Sequence, residues 1–366
     1  MSAPLLPSIG IVMHDFALGG TERIATRLAA RWAAEGARVT IFCGSGEGEM
    51  RALLGDQVRV VEASPAIARG WGSRLRLARA AARHFAEAPV EIVFLPGNFH
   101  WPIAPALAAL PKASRPAIVA QISATLAKPQ RKPLKQALFE LRMRGLLRRA
   151  DAVVALSQAA ATQSEAILRR AVVCVIPLPA LGDTRVPPVP APDTKLIVAV
   201  GRLVPEKGFD MLIEAFAALD DSAAQLAIVG EGPDRARLEG MIARHGLHGR
   251  VLLPGYVSDT RGWLDRARLA AMPSRFEGYP AVLVEAFAAG RAAVATDCTP
   301  ATAELIDRPE VGRVVPVDDT AAMTAALGAM LALPPPDPDR LAARVERHRI
   351  GPVARDYLAL FAGLRR

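Results

Sequence analysis

Short runs of β-branched and other apolar residues alternate with longer Ala- and Leu-rich helical stretches along this chain. Few folds accept that alternation. A parallel strand buried on both faces must be apolar throughout, and its connection to the next parallel strand needs a crossover helix. In the first half the expected strands are Ile9–His14, Val39–Cys43, Val58–Val61, Ile92–Leu95, Ile118–Ile122, Ala152–Leu156 and Val172–Ile176. In the second half they are Leu196–Val200, Gln225–Val229, Val251–Leu253, Leu269–Met272, Ala292–Ala295 and Gly312–Val315. Between the two sets, Val186-Pro187-Pro188-Val189-Pro190-Ala191-Pro192 reads as a stiff extended linker. The pattern predicts an α/β protein of two domains, residues 1–185 and 193–333. A second Pro-rich stretch, Pro334 to Pro338, sets off a C-terminal helical tail.

The chain has 366 residues, 51% of them hydrophobic, enough for two well-filled cores. No apolar run reaches the roughly 18–20 residues that a membrane-spanning helix needs. Met1 to Gly20 lacks a cationic segment before its apolar stretch and is read as a first strand, not a signal peptide. Cys43, Cys174 and Cys298 are far apart and fall in strand-like segments, so neither a disulfide framework nor a metal site is expected. A reduced, cytoplasmic protein follows as the expectation. Charge is uneven: residues 1–185 hold 24 Lys+Arg against 13 Asp+Glu, whereas the remainder holds 21 against 23. The basic half is expected to meet something anionic. Nucleic acid is disfavoured, because aromatic interleaving and nucleic-acid motifs are missing. An anionic membrane surface or a diphosphate-bearing lipid fits better.

Chemistry-bearing residues concentrate where strands end. After the strand Leu269–Met272 comes Pro273-Ser274-Arg275-Phe276-Glu277-Gly278-Tyr279-Pro280, then a helix carrying Glu285 and stopped by Gly290. Glu285 interrupts Val282-Leu283-Val284 and Ala286-Phe287-Ala288, which makes a purely solvated role unexpected. At ~1.5 Å per residue the two carboxylates stand about 12 Å apart, near the span from hexose to ribose in a nucleotide sugar. The helix N-terminus adds free N–H groups suited to an anion. After Leu196–Val200 comes Gly201-Arg202-Leu203-Val204-Pro205-Glu206-Lys207-Gly208. Gly201 permits close backbone approach, Arg202 offers a fork for phosphate oxygens, and Lys207 adds a point charge. Acids for hydroxyls and cations for a diphosphate point to a sugar nucleotide. Weaker candidates are the turn Gly230-Glu231-Gly232-Pro233, and Tyr256 and Val257 as backbone contacts to a base. Gly19, Gly20 and Thr21 open the first helix, where backbone can approach a diphosphate or Thr21 can simply cap. His14, Asn98 and His100 are candidates on the acceptor side.

These residues together resemble the retaining glycosyltransferases of family 4. The resemblance runs over nearly the whole chain. It rests on Gly19-Gly20-Thr21-Glu22, on Gly201-Arg202 with Glu206-Lys207-Gly208, and on the block from Pro273 to Gly290 with Glu277 and Glu285 eight apart. It implies the GT-B fold: two Rossmann-like domains facing a central cleft, the tail 340–366 crossing back to complete the first. It implies that Arg202 and Lys207 bind the donor diphosphate, that Glu277 contacts the transferred sugar, and that Glu285 contacts the ribose. Gly201, Gly278, Tyr279, Pro280, Tyr256, Val257, Gly19 and Gly20 would complete the donor site. No cofactor and no metal is expected, the nucleotide sugar being a co-substrate. Retention is thought to follow a same-face mechanism in which the leaving phosphate takes the acceptor proton, so electrostatics carries the burden. Three segments depart from the family pattern: Ser123-Ala124-Thr125 where a His is usual, Pro177-Leu178-Pro179 for an Asn-containing step, and Thr299-Pro300-Ala301-Thr302 for a Gly-Gly loop.

The expected reaction is transfer of a hexose or N-acetylhexosamine from a UDP-sugar to a lipid-linked or cell-envelope polysaccharide acceptor. GDP-mannose stands as an alternative donor. An epimerase or hydrolase of the same fold, or a degenerate non-catalytic partner subunit, are further alternatives. A basic segment, 128–149, repeats Leu134, Leu138, Leu141, Leu146 and Phe139 at helical spacing among cations, as an interfacial helix would. It predicts peripheral contact with the inner face of the cytoplasmic membrane.

Overall fold

The computed structural model describes residues 6–17, 19–127, 131–169 and 173–364. Lys128 to Gln130, which begin the basic segment, and Val172 of the seventh expected strand lie outside the described residues. The chain divides into two compact units, residues 1–182 with 350–366, and residues 183–349.

The first unit runs β1 (Ile9–Met13), α1 (Gly20–Ala34), β2 (Val39–Cys43), β3 (Val58–Glu62), α2 (Ser73–Glu87), β4 (Ile92–Leu95), α3 (Ala104–Ala108), β5 (Ala117–Ile122), α4 (Pro133–Leu147), β6 (Ala152–Ala155), α5 (Gln158–Leu168) and β7 (Cys174–Val175). Its seven strands are all parallel, in the order β3-β2-β1-β4-β5-β6-β7. The second runs β8 (Leu196–Val200), α6 (Phe209–Ala217), β9 (Gln225–Val229), α7 (Arg235–Arg244), β10 (Val251–Gly255), α8 (Arg261–Arg266), β11 (Leu269–Met272), α9 (Ala281–Ala288), β12 (Ala293–Thr296), α10 (Pro300–Leu305), β13 (Gly312–Val315), α11 (Thr320–Ala332) and α12 (Pro338–Arg344). Its six parallel strands follow β10-β9-β8-β11-β12-β13. The last helix, α13 (Ile350–Gly363), returns to the first unit.

Strand runs such as Ile9-Gly10-Ile11-Val12-Met13 and Leu269-Ala270-Ala271-Met272 are buried at every position, because helices cover both faces of each sheet. In the first unit one face carries α1 and α13, and the other carries α2, α3, α4 and α5. Trp32 of α1 is the centre of the first face. Its ring meets Phe94, Tyr357 and Phe361 edge-on at 5.2–5.7 Å, and its Nε1 donates to the Ala354 carbonyl at 3.1 Å. Among the described residues no helix is long and apolar enough to cross a membrane.

Two boundaries differ from expectation. The Pro-rich segment, expected as a stiff extended linker between the domains, is strapped along the second unit. Proline lacks an N–H, yet its carbonyl still accepts. Arg261 donates to the Val186 and Pro187 carbonyls at 3.1 and 2.5 Å, and the buried Arg291 donates to Val189 and Pro190. The tail also splits. α12 stays with the second unit, its Leu341 buried against α9, and only α13 joins the first. Gly290 explains the local packing: at φ +78 it ends α9, and a Cβ there would stand 2.5 Å from Pro338 and 3.2 Å from Pro188.

Candidate active site

Strand order reverses once in each sheet, between β1 and β4 and between β8 and β11. At such a switch point the loops leaving the two strands diverge to opposite faces, opening a crevice at the strands' carboxyl ends. In the second unit the two diverging loops are those that follow β8 and β11, which carry the sequence's two polar clusters.

The loop after β8 makes a 3₁₀ turn, Pro205–Lys207, closed by Gly208 at φ +66. A Cβ on Gly208 would lie 2.1 Å from the Pro273 carbonyl oxygen, so only glycine lets this turn sit against the loop after β11. Arg275 fastens the two loops. Its backbone N–H donates to the Glu206 carbonyl at 2.8 Å, and its guanidinium reaches the Pro205 carbonyl at 2.7 Å, Asp210 at 2.9 Å and Asp318 at 2.6 Å. Arg237 adds a second bond to Asp210 at 3.0 Å. Burial works to raise the Asp210 pKa, yet its bonds to Arg275 and Arg237 hold it below the ordinary carboxylate value. Gly208→Ala is therefore expected to cost about 1–3 kcal/mol, from a left-handed alanine plus the clash, and to shift Lys207. Thermal unfolding and turnover of the variant check both effects.

Held this way, Lys207 Nζ pairs with Glu277 Oε1 at 2.5 Å although 70 residues separate them. The Lys207 stem passes close over Gly201, 3.4 Å from where a Cβ would be. Ser274, buried, donates its hydroxyl to the same Glu277 oxygen at 2.8 Å. Glu285, in the second turn of α9, has Oε2 accepting from Thr260 Oγ1 at 3.2 Å. Pro280 caps α9, so the helix opens at Ala281. Arg202 is exposed and, among the described residues, its guanidinium has no hydrogen-bond or ion-pair partner, whereas its carbonyl accepts from Val204 N at 2.9 Å. Tyr256 is exposed and Val257 half-buried. Tyr279 turns its hydroxyl to His348 Nε2 at 3.4 Å, and burial raises the phenol's pKa.

The Gly230–Gly232 turn serves packing. Cβ atoms there would fall 1.8 Å from the Gly201 oxygen and 2.3 Å from the Leu203 oxygen, so these glycines let the loop after β9 nest beneath Gly201–Leu203. Thr299 and Thr302, at the departure from the Gly-Gly pattern, are buried, and Thr302 Oγ1 makes no hydrogen bond of good geometry among the described residues. Sequence reading assigned no role to Ser274, Thr260, Asp210 or Arg275. Asp210 and Arg275 adjoin the two clusters, which was a usable signal; nothing local marks Thr260.

The switch point of the first unit gathers His14, Asn98 and His100. His14 is fully buried, neither ring nitrogen makes a hydrogen bond of good geometry among the described residues, and the ring stands edge-on to Phe99 at 5.6 Å. His100 is also buried, its Nδ1 2.7 Å from the Pro96 carbonyl and its Nε2 without a partner among the described residues. Burial lowers both pKa values, leaving the rings neutral at pH 7. The carboxamide of Asn98 is occupied by backbone, its oxygen accepting from Ser123 N at 2.9 Å and its nitrogen donating to the Ala124 carbonyl at 3.0 Å. Ser123 thus joins the loops after β4 and β5. Arg69, which sequence reading missed, bridges Asp15 at 2.5 Å and Glu22 at 2.7 Å. Glu22 curls back over Gly19, where a Cβ would be 2.3 Å from its carboxylate; Gly20 opens α1 and is exposed.

Residues 19–179 match the sequence description of a glycosyl transferase 4-like domain, and residues 194–333 that of glycosyl transferases group 1. Among curated relatives, an exopolysaccharide phosphotransferase of Streptomyces coelicolor is 43% identical over 141 residues, 37% of this chain and 15% of that protein. An N-acetylgalactosaminyltransferase of Campylobacter jejuni, named for a diphospho-undecaprenol substrate, is 35% identical over 137 residues, 37% of each chain. The matched stretches thus span well under two thirds of either relative. The solved structure of Anabaena HepE in complex with UDP and glucose superposes with a TM-score of 0.73 at 17% identity, covering 97% of this chain and 99% of that one.

Proposed function

Since the chain belongs to the group 1, family 4 glycosyltransferases and has their GT-B fold, we propose that it moves a hexose or N-acetylhexosamine from a UDP-sugar to a lipid-linked or cell-envelope polysaccharide acceptor, with retention. The Lys207–Glu277 ion pair at the β8/β11 switch point carries this reading. It sets a cation and a carboxylate side by side where parallel sheets bind ligands. Arg202 and Lys207 meet the diphosphate, Glu285 the ribose, and Glu277 the transferred sugar. The bond from the anomeric carbon to the diphosphate breaks with its electron pair passing to the phosphate oxygen. The acceptor oxygen bonds to the anomeric carbon on the same face, and its proton goes to the departing phosphate. Lys207, positioned before substrate arrives, offsets charge as it builds on that oxygen. The neutral, buried His14 and His100 and the Arg69 bridge shape the acceptor side.

UDP is favoured because HepE is a structural neighbour solved with UDP and glucose. A lipid-diphosphate acceptor is favoured by the name of the Campylobacter relative. Calorimetric titration with UDP, GDP and ADP tests the donor. UDP is expected to bind, and Arg202→Ala to weaken it by about tenfold or more, the worth of a charged hydrogen bond. A preference for GDP would move the donor to GDP-mannose. Binding unaffected by the substitution would remove Arg202 from the site.

A further inference from the structure

The helix α4 has two apolar faces. One packs on the core of the first unit through buried Met143 and Leu147, with Phe139 and Leu146 partly buried beside them. The other leaves Leu134, Leu138 and Leu141 exposed at 74%, 60% and 62%. At ~100° per residue these three leucines form one stripe, opposite the core face and continued by exposed Gly145. Lys135 and Arg142 flank it on one side, Arg144 and Arg148 on the other. The helix holds a single acid, Glu140, which accepts from Gln136 and pairs with Arg144 at 3.5 Å.

At the end of this stripe a cavity of about 180 Å³ opens between α4 and α5, lined by Arg144, Leu147, Arg148, Leu168 and Arg169. Among the described residues, three arginines and no carboxylate line it. Arg144 is engaged with the Ile167 carbonyl and Glu140, while Arg148 and Arg169 are exposed and have no acid partner among the described residues. Each also ends a helix, where one cation suits the carbonyl end. The lining nevertheless keeps a surplus of positive charge, and guanidinium forks match phosphate oxygens. A second element lies on the same face of the sheet. Before and along α2, Trp71 is fully exposed and Leu75 is 56% exposed. Arg74, Arg76, Arg79 and Arg83 follow along the same helix, with no acid until Glu87, and the Arg74 guanidinium lies over the Phe99 ring at 5.0 Å.

We propose that this face of the first unit docks on an anionic phospholipid bilayer. The leucine stripe and Trp71 enter the headgroup boundary, and the arginine cavity between α4 and α5 holds a lipid phosphate. Exposed leucines flanked on both sides by cations fit that partner, whose interior is apolar and whose surface is negative. An acidic protein partner would match the cations but not three exposed leucines and an exposed tryptophan. The proposal stands apart from the sugar-transfer reading, so failure of the nucleotide titration does not touch it.

The test is co-sedimentation of the full chain with phosphatidylcholine vesicles and with vesicles that also contain phosphatidylglycerol. Binding is expected only to the anionic vesicles, with a blue shift of tryptophan emission that Trp71→Phe removes. Joint replacement of Leu134, Leu138 and Leu141 by Ser should abolish binding, and R148Q with R169Q should weaken it on the order of tenfold or more. Unchanged far-UV circular dichroism in both variants shows that they fold. Anionic binding that survives the leucine replacements overturns the proposal in favour of a solvated basic face. A change of oligomeric state in the leucine variant with vesicle binding intact overturns it in favour of an interface between copies. Full competition by millimolar inorganic phosphate, with no dependence on the leucines, reduces the cavity to a site for free phosphate.

Discussion

Lys207→Ala is expected to lower the rate of sugar transfer by about 10²–10³-fold, the usual cost of removing one preorganised group from a developing oxyanion. The melting temperature should hardly move. The Lys207 and Glu277 side chains keep 24% and 14% of their exposure, and a partly exposed pair of this kind contributes about 1 kcal/mol or less. The turn that carries Lys207 is held by other means, namely Gly208 against Pro273 and the bonds from Arg275. Steady-state kinetics beside calorimetric unfolding separates the two effects. Glu277→Gln is the companion variant. It keeps a partner for the Ser274 hydroxyl but removes the charge facing Lys207, so its effect and that of Lys207→Ala should not add. Turnover within a few-fold of the parent in Lys207→Ala would mean that the ion pair is structural and that the transfer site is wrongly placed.

Trp32→Ala is expected to cost about 3–5 kcal/mol, the range for truncating a large buried aromatic residue. Trp32 ties α1 to β4 and to α13, by edge contacts to Phe94, Tyr357 and Phe361 and a bond to the Ala354 carbonyl, beside a direct contact of Phe94 with Tyr357 at 5.2 Å. Its loss should therefore loosen α13 selectively, and hydrogen exchange along 350–363 should rise before that of β1 or β5. Urea unfolding gives the total. Tyr357→Phe should cost less, about 1–3 kcal/mol, by leaving the buried Gln121 amide without the Tyr357 hydroxyl 2.8 Å away. Uniform exchange along the first unit in Trp32→Ala would show that α13 is held by its wider apolar contact and not by this tryptophan.

Much of the fold was legible because its signals are local. An apolar run such as Val39-Thr40-Ile41-Phe42-Cys43 can be recognised without knowing its neighbours, and the observed strand has the same limits. Glycines and prolines marked helix ends for the same reason, as Gly290 does after α9. Packing misled where composition was ambiguous. Val186 to Pro190 has the residues of a stiff extended linker, but Arg261 and Arg291, far along the chain, bind its carbonyls. The basic helix α4 likewise read as a single amphipathic pattern. Helical spacing puts Met143 and Leu147 opposite Leu134, Leu138 and Leu141, but only burial shows that the first pair faces the core.

By itself, then, the sequence determined the number and place of the strands, their parallel character, and the two loops that hold charge. These follow from side-chain polarity over five to ten neighbouring residues. Tertiary structure alone decided the strand order, and with it the site. Right-handed crossovers allow several orders; setting β11 beside β8 brings Lys207 within 2.5 Å of Glu277 across 70 residues. Strand order is settled by which helix faces bury together over the whole unit, a long-range balance of packing that no single segment encodes.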